Sequence, residues 1–291
     1  MINQTSSALN IKPKYACSHL SIGLGIVIGQ ISIILFPIIF SSYFPFKNNL
    51  SFVFFAVFFI CLSGTRMRAL GNIIHECSHF NFVKSRRNNY YIGKILSIVE
   101  FSCFDKYLKD HYSHHKYLGD LKYDEDFKSR QFIGICKKQK ISLKSIILIV
   151  FSVRNWFFIL KTSFTINCKD RLTNIIRVIY ILTLIILSFV FGFKLIFLFI
   201  ILPYMTSYQL FKIFSDYLDH GGLYHHHKKE YKTRNHYFSL ALLNWLFFPR
   251  NDCYHLIHHL YPTVPTNYLP EIHIFLLNSN SEYAKRRHKI F

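Results

Sequence analysis

The chain has 291 residues, of which 51% are hydrophobic and 31 are Phe, and this is more apolar surface than a soluble core of that size needs. The formal net charge is +20, but apolar runs of lipid length separate the Lys and Arg along the chain. The charge therefore indicates one basic side of a membrane protein rather than nucleic-acid binding. The seven cysteines are odd in number and form no CxxC pair, which argues against a disulfide framework and against a thiolate zinc site.

Three apolar runs predict four membrane spans. The run from Leu20 to Phe40 is 21 residues long and uncharged, and its helix would be about 31 Å long, close to the hydrocarbon thickness of about 30 Å. A second helix from Leu50 to His79 would reach about 45 Å, so its last four turns should stand clear of the membrane. The run from Val178 to Phe211 is long enough for two spans that turn at Gly192, with the return helix continuing to His220.

The basic residues predict the orientation of these spans. Of the 35 Lys and Arg, 32 fall before residue 20, between residues 66 and 171, or from residue 212 onward, and the others are Lys47, Arg177 and Lys194. By the positive-inside rule this basic side, which carries both termini, is cytoplasmic. Two apolar segments on it, Ile141 to Leu160 and Phe238 to Phe248, contain or adjoin charges and are predicted to lie at the interface, with a fifth and sixth span as the alternative.

These elements together predict the fold class. We expect an all-α integral membrane protein in which residues 1–291 form one domain. Two transmembrane helical hairpins, about four spans, would carry a helical cap on the cytoplasmic side.

Histidines recur on this cytoplasmic side in one HxxxH box and two HxxHH boxes. The boxes comprise His75 and His79; His111, His114 and His115; and His255, His258 and His259. With 16 His in the chain, HxxHH should occur by chance about 0.05 times. Residues at i, i+3 and i+4 share one helix face, and neutral imidazole suits Fe, Zn, Cu and Ni. Eight ligands exceed what one metal takes, so the boxes predict a two-metal centre held by the cap.

The order HxxxH, HxxHH, HxxHH, together with the stretch from Tyr254 to Pro265, resembles the membrane fatty acid desaturase family. The resemblance extends from Gly71 to His273. It implies two histidine-ligated non-haem iron ions that use O2 as co-substrate to remove hydrogen from the acyl chain of a membrane lipid. It also implies a ninth histidine ligand before the third box, which His220 matches, and Asp216 one turn earlier is expected to hold a metal-bound water or to orient His220.

Acidic residues near the boxes are candidates for accepting the second ring N–H of a ligand histidine. They are Glu76, Asp105, Asp110, Asp120, Asp124, Asp126 and Asp252. The acidic residues that follow the second box, Asp120, Asp124 and Asp126, are equally explained by a solvent-exposed acidic turn. The triplet His225, His226 and His227 is excluded from the site because consecutive residues point in three directions.

Other functions share parts of this pattern. His75 to His79 also reads HExxH, the signature of a zinc protease in which Glu76 would be the general base. A metal transporter is the non-enzymatic alternative, although few ionisable residues lie in the spans. Hydroxylases and carotenoid ketolases share the three-box chemistry. No haem or flavin motif is present, so a separate electron donor, a ferredoxin or a b-type cytochrome, is expected to dock on the basic side.

Overall fold

The computed structural model describes residues 15–44, 46, 48–135, 141–164, 168–228 and 231–290. Regular structure in these residues is helical, apart from two isolated β-bridges, and four helical segments are long and apolar enough to cross a membrane. The predicted all-α class and the prediction of about four apolar helices of spanning length are therefore confirmed. Lys47, which entered the charge analysis, lies outside the described residues.

The first hairpin consists of α1 (Leu20–Tyr43) and α2 (Asn49–Ser78). Helix α2 begins where the side chain of Asn48 accepts a hydrogen bond from the backbone N–H of Ser51 at 2.7 Å, which satisfies one of the free donors of the first turn. It then runs for 30 residues without a break. The single long helix predicted from the sequence is thus confirmed, and it carries the first histidine box at its C-terminal end.

The second hairpin turns at Gly192, as predicted. Helix α8 (Arg171–Phe191) ends there with a φ of 90°, a conformation that glycine adopts without steric cost. The return leg is segmented into α9 (Phe193–Ile196), a π-helical turn (Phe197–Ile201), α10 (Leu202–Met205) and α11 (Ser207–His220). The last of these carries His220.

Close packing joins the two hairpins and fixes the position of α11. A Cβ atom at Gly64 of α2 would lie 2.8 Å from the backbone nitrogen of Tyr208, so only glycine allows the two helices to approach this closely. The hydroxyl of Ser207 also donates a hydrogen bond to the carbonyl oxygen of Ile60 at 2.7 Å. These contacts therefore fix the position of α11 relative to α2, and with it the relative position of the histidines at their C-terminal ends.

The cap is built from shorter helices. Between the hairpins lie α3 (Arg86–Val99), α4 (Phe104–Tyr117), α5 (Glu125–Phe132), α6 (Leu143–Val150) and α7 (Val153–Ser163). After α11 come α12 (Ala241–Phe247), α13 (His255–Leu260), α14 (Leu269–Ser279) and α15 (Ser281–Ala284). Helices α6 and α7 meet at a bend of 54° and count as a span only if taken together. Alone they are about 12 and 17 Å long, too short to cross a bilayer.

One expectation about cysteine is wrong. The sequence argued against disulfides, but Cys103, just before α4, and Cys168, just before α8, form one. The other described cysteines, Cys17, Cys61, Cys77 and Cys253, are free. Spacing along the chain could not predict the pair, since 65 residues separate the two thiols.

Candidate metal centre

Four helices bring the nine predicted histidines together. The C-terminal end of α2, helices α4 and α13, and the last residue of α11 converge where the cap meets the hairpins. Two groups result, and within each group the ring nitrogens lie within 4.8 Å of one another. The first group comprises His75, His79, His111, His115 and His258, and the second comprises His114, His220, His255 and His259.

The first group takes histidines from all three boxes. The Nε2 atoms of His79 and His111 lie 2.7 Å apart, and those of His258 and His115 lie 3.0 Å apart. Ring nitrogens bind a divalent metal such as zinc at about 2.0–2.1 Å, so two nitrogens at right angles on one metal are about 3 Å apart. The spacing of the first group therefore fits ligands around a single ion.

The second group combines His220 with the second and third boxes. The Nε2 atom of His255 lies 3.0 Å from that of His220 and 3.1 Å from that of His259. His114 completes the group, and its buried Nε2 atom has no hydrogen-bond partner in the described chain. A buried nitrogen lone pair without a donor is costly, and a metal ion would satisfy it.

Burial sets the protonation state of these rings. It lowers the pKa of His111, His255, His258 and His259 well below the ordinary value, and the neighbouring imidazoles lower it further. The rings are therefore neutral near pH 7, which is the form that binds metals. Ring nitrogen donors in two groups of five and four suit two transition-metal ions better than Mg²⁺ or Ca²⁺, which prefer oxygen.

Asp124 orients one histidine of the second group. The Nδ1 atom of His114 lies 3.1 and 3.2 Å from the carboxylate oxygens of Asp124. A carboxylate only accepts, so Nδ1 carries the proton and Nε2 presents its lone pair to the group. Burial raises the pKa of Asp124, but hydrogen bonds from His114, Gly119 and Phe127 outweigh it and the pKa lies below its ordinary value.

One further orienting contact, and one carboxylate close to the second group, were not predicted. The carbonyl oxygen of Lys232 lies 3.0 Å from Nδ1 of His220, so Nδ1 carries the proton and Nε2 presents its lone pair to the second group, as in His114. Asp219 accepts a hydrogen bond from Nε2 of His236 at 2.6 Å and lies 3.6 Å from Nδ1 of His255. A backbone carbonyl leaves no signal in a sequence, whereas Asp219, beside His220, could have been considered together with Asp216.

The remaining predicted acids bind other partners. Asp216 pairs with Arg130 at 3.3 Å, and no hydrogen bond joins it to His220 among the described residues, so its water-mediated role stays a prediction. Asp120 is exposed, and its carboxylate accepts backbone N–H bonds from Lys122 and Tyr123, which does not support an orienting role.

Asp252 is held by two contacts beside the first group. Its carboxylate lies 2.8 Å from Arg68 and accepts a hydrogen bond from Ser215 at 2.7 Å. It lines a cavity together with His75 and His255, and no hydrogen bond joins it to either ring among the described residues, so its role beside the centre stays a prediction. Three further acids pair with residues outside the two groups, namely Asp105 with Tyr90, Asp110 with Lys106, and Asp126 with Arg130.

Glu76 forms a buried ion pair with Arg250. Its two oxygens lie 2.7 and 2.8 Å from Nε and Nη2 of the guanidinium, and its side chain is 1% exposed. Arg250 reaches it from a backbone with a φ of 67°, in the left-handed region. A carboxylate held in this way is not placed to act as a general base, which disfavours the zinc protease interpretation.

Comparison with known proteins gives two matches. A family model described as fatty acid desaturase matches residues 51–289. The dihydrorhizobitoxine desaturase of Bradyrhizobium elkanii is 27% identical over 227 residues, which cover 71% of this chain and 63% of that protein. The chain thus spans less than two thirds of the length of this relative.

Proposed function

The chain belongs to the fatty acid desaturase family, and we propose that it is an oxidoreductase that desaturates a fatty acyl chain of a membrane lipid with two histidine-held irons. The observation that carries this proposal is the division of nine histidines into two groups. His75, His79, His111, His115 and His258 would hold one iron. His114, His220, His255 and His259 would hold the other. The whole chain, residues 1–291, would form one desaturase domain.

The reaction removes one hydrogen from each of two adjacent carbons and forms a double bond. O2 is reduced to two waters, and the four electrons come half from the substrate and half from the separate donor, which is accompanied by two protons. When bound, the two irons would supply the activation of O2. The chain's own contribution is to hold the rings neutral and oriented: Asp124 keeps the proton on Nδ1 of His114, and the Lys232 carbonyl does so for His220.

The proposed placement has the cap, the histidine boxes and both termini on the cytoplasmic side of four membrane spans. The concentration of Lys and Arg on that side supports it. The electron donor would be a ferredoxin or b-type cytochrome steered by these basic residues. Donor coupling should then weaken as ionic strength rises, and a rate that is independent of salt would contradict this steering.

Two alternatives within the superfamily keep the same metal centre. A hydroxylase or a carotenoid-ketolase-type oxygenase would use the three boxes but insert oxygen. The relative's printed name refers to dihydrorhizobitoxine and not to a fatty acid, so family membership leaves the substrate open. The zinc protease alternative is weaker, because it leaves seven clustered histidines unexplained and Glu76 is held by Arg250. A metal transporter is likewise disfavoured, since the groups are not at the middle of the spans.

Expression in a host with simple lipids and a competent electron donor tests the proposal. Mass spectrometry should find acyl chains lighter by two hydrogens, and the sterol and carotenoid fractions should be unchanged. Oxygen-containing products would favour the hydroxylase alternative. An unchanged profile in every fraction would contradict the desaturase assignment.

Variants of single histidines test the centre itself. We expect His115→Ala, in the first group, and His259→Ala, in the second, to abolish turnover while the protein stays in the membrane. His227→Ala is the matched control, because His227 is exposed and lies outside both groups. Retained activity in either group variant would remove that histidine from the ligand set.

A further inference from the structure

A cavity of about 740 Å³ adjoins the metal centre, and its walls are charged. His75, His111, His114 and His255 line it, so a molecule inside it would lie against both histidine groups. Its volume is in the range of small-molecule sites, about 300–1,000 Å³, which are usually lined by apolar side chains. Here 11 of the 27 lining residues are acidic or basic. We call this cavity the chamber.

Most of the charges in the chamber neutralise one another. Arg68 pairs with Asp252 at 2.8 Å, and Arg130 pairs with Asp216 at 3.3 Å. The chamber also contains the pair of Lys106 and Asp110. Of the two remaining aspartates, Asp126 also pairs with Arg130, at 3.5 Å, and Asp219 accepts a hydrogen bond from His236. Within the described chain, Glu100, Lys161 and Lys212 are then left without an ion partner, one acid and two bases.

Glu100 is the acid without a cation. Its Oε1 atom is buried and receives no hydrogen bond from the described residues, although the hydroxyl of Tyr208 donates a hydrogen bond to the carboxylate. The carboxylate lies against Gly71, where a Cβ atom would come within 2.5 Å of Oε1, so the glycine makes room for it. The backbone at Glu100 is held in place, because the hydroxyl of Tyr204 donates a hydrogen bond to the Glu100 carbonyl oxygen at 3.0 Å.

This carboxylate is close to the metal centre. Gly71 precedes His75 by four residues on α2, which corresponds to about 6 Å along the helix axis. A cation bound by Glu100 would therefore lie about one helical turn from the first histidine group. A buried carboxylate oxygen that receives no hydrogen bond is unfavourable, and an ammonium group is its natural complement.

The two bases lie on the side of the chamber formed by α7 and α11. Lys212 makes one long hydrogen bond, 3.5 Å from its Nζ atom to Oγ of Ser163, and its ammonium lies 5.4 Å from the ring centre of Tyr208. Lys161 is exposed at the chamber wall. Both ammonium groups are available to an anion inside the chamber.

We propose that the chamber binds a zwitterionic group of the substrate, with its ammonium at Glu100 and its carboxylate or phosphate at Lys212 and Lys161. This inference rests on the proposed function, because the chamber is the space beside its metal centre. It places the charged group of the substrate beside both histidine groups. A zwitterionic lipid head group and a small free amino acid share this chemistry, and the experiment below separates them.

Binding to the iron-loaded, full-length protein in detergent tests this assignment without turnover. Two matched pairs of probes are compared, didecanoyl phosphatidylethanolamine with didecanoyl phosphatidylglycerol, and L-norleucine with hexanoate. In at least one pair the zwitterion should bind at least about tenfold more tightly than the anion, the scale of a hydrogen bond to a charged group. A preference in the lipid pair identifies a head group as the ligand, and a preference in the norleucine pair identifies a free amino acid.

Variants assign the preference to the chamber. Glu100→Gln should abolish it, and Lys212→Met should weaken the binding of zwitterion and anion about equally. Glu125→Gln and Lys128→Met are the controls, since these residues form an exposed pair on α5 and do not line the chamber. They should bind like the wild type.

Three results would overturn the assignment: no preference in either pair, a preference that persists in Glu100→Gln, or an equal loss in the control variants. The proposed function is tested by a different experiment, so it can fail or hold independently of the chamber assignment. A protein that desaturates lipids in cells but shows no preference refutes the chamber assignment alone. A protein that shows the preference but leaves the lipid fractions unchanged refutes the acyl substrate and not the chamber.

Discussion

Removal of the Asp124 carboxylate should loosen one metal site and spare the other. Asp124 is fully buried and accepts hydrogen bonds from Nδ1 of His114 and from the backbone N–H groups of Gly119 and Phe127. In Asp124→Ala all three donors lose their acceptor at once. The His114 ring is then free to rotate or to change its tautomer, while the first group has no contact with this carboxylate.

The contacts of Asp124 predict the size of two effects, a loss of metal affinity and a loss of folding stability. Loss of the acceptor of a metal-ligating histidine lowers metal affinity about 10- to 100-fold. Loss of the helix cap contributes about 0.5–2 kcal/mol to destabilisation, and a hydrogen bond to a charged group about 1.5–3 kcal/mol. Asp124→Asn keeps an acceptor for the cap and for His114, so it should bind iron more tightly than Asp124→Ala.

Iron content after dialysis against increasing chelator measures the affinity directly. The wild type should hold two irons up to a chelator concentration at which Asp124→Ala holds one. The matched control is Asp120→Ala, which removes an exposed carboxylate four residues away that caps only a turn. The reasoning is refuted if Asp124→Ala retains as much iron as the wild type at every chelator concentration, or if Asp120→Ala loses as much.

Three further changes have defined outcomes. Arg250→Met should lower the free energy of unfolding by about 3–5 kcal/mol, because it leaves the buried Glu76 carboxylate without its partner. Gly64→Ala should cost about 1–3 kcal/mol, because its methyl group forces α2 and α11 apart. Hydrogen bonds from Thr173 and Lys94 lower the pKa of Asp170 to about 2, so its stabilising contribution is present above pH 4 and is lost as the pH falls toward 2. Asp170→Asn should therefore reduce the melting temperature near pH 7 and flatten its dependence on pH.

Thermal unfolding in detergent measures all three. Unchanged stability of Arg250→Met would show that Glu76 is satisfied in another way. A fully stable Gly64→Ala would mean that the two helices can separate at no cost. An Asp170→Asn protein whose acid dependence matches the wild type would exclude Asp170 as the titrating group.

The sequence predicted the spans and eight of the nine clustered histidines because both depend on local pattern, whereas the ninth, His220, followed from the family resemblance. Apolar length defines a span, and the i, i+3, i+4 spacing defines a helix face, so neither requires knowledge of tertiary structure. The family resemblance drawn from the boxes is confirmed by the match over residues 51–289. The role of each histidine as a ligand stays a prediction.

The partners of these histidines were less predictable because they come from distant parts of the chain. Lys232 contributes a carbonyl oxygen, which any residue carries, and Asp219 reaches His255 from another helix. Asp124 was one of seven candidate acids, and only the fold shows that it contacts His114. The Cys103–Cys168 disulfide was missed for the same reason.

In the proposed membrane placement, helix α2 connects the lipid to the candidate metal centre without a hinge. Its 30 residues form one rod from Asn49 to Ser78, with His75 near the far end. Each residue adds about 1.5 Å and 100° of rotation, so one residue inserted after Gly64 would turn His75 away from its group, whereas an insertion before Asn48 would not. The height of the centre above the bilayer is therefore set by residue count. A thinner membrane would act by tilting the whole rod, and the ligands would move with it.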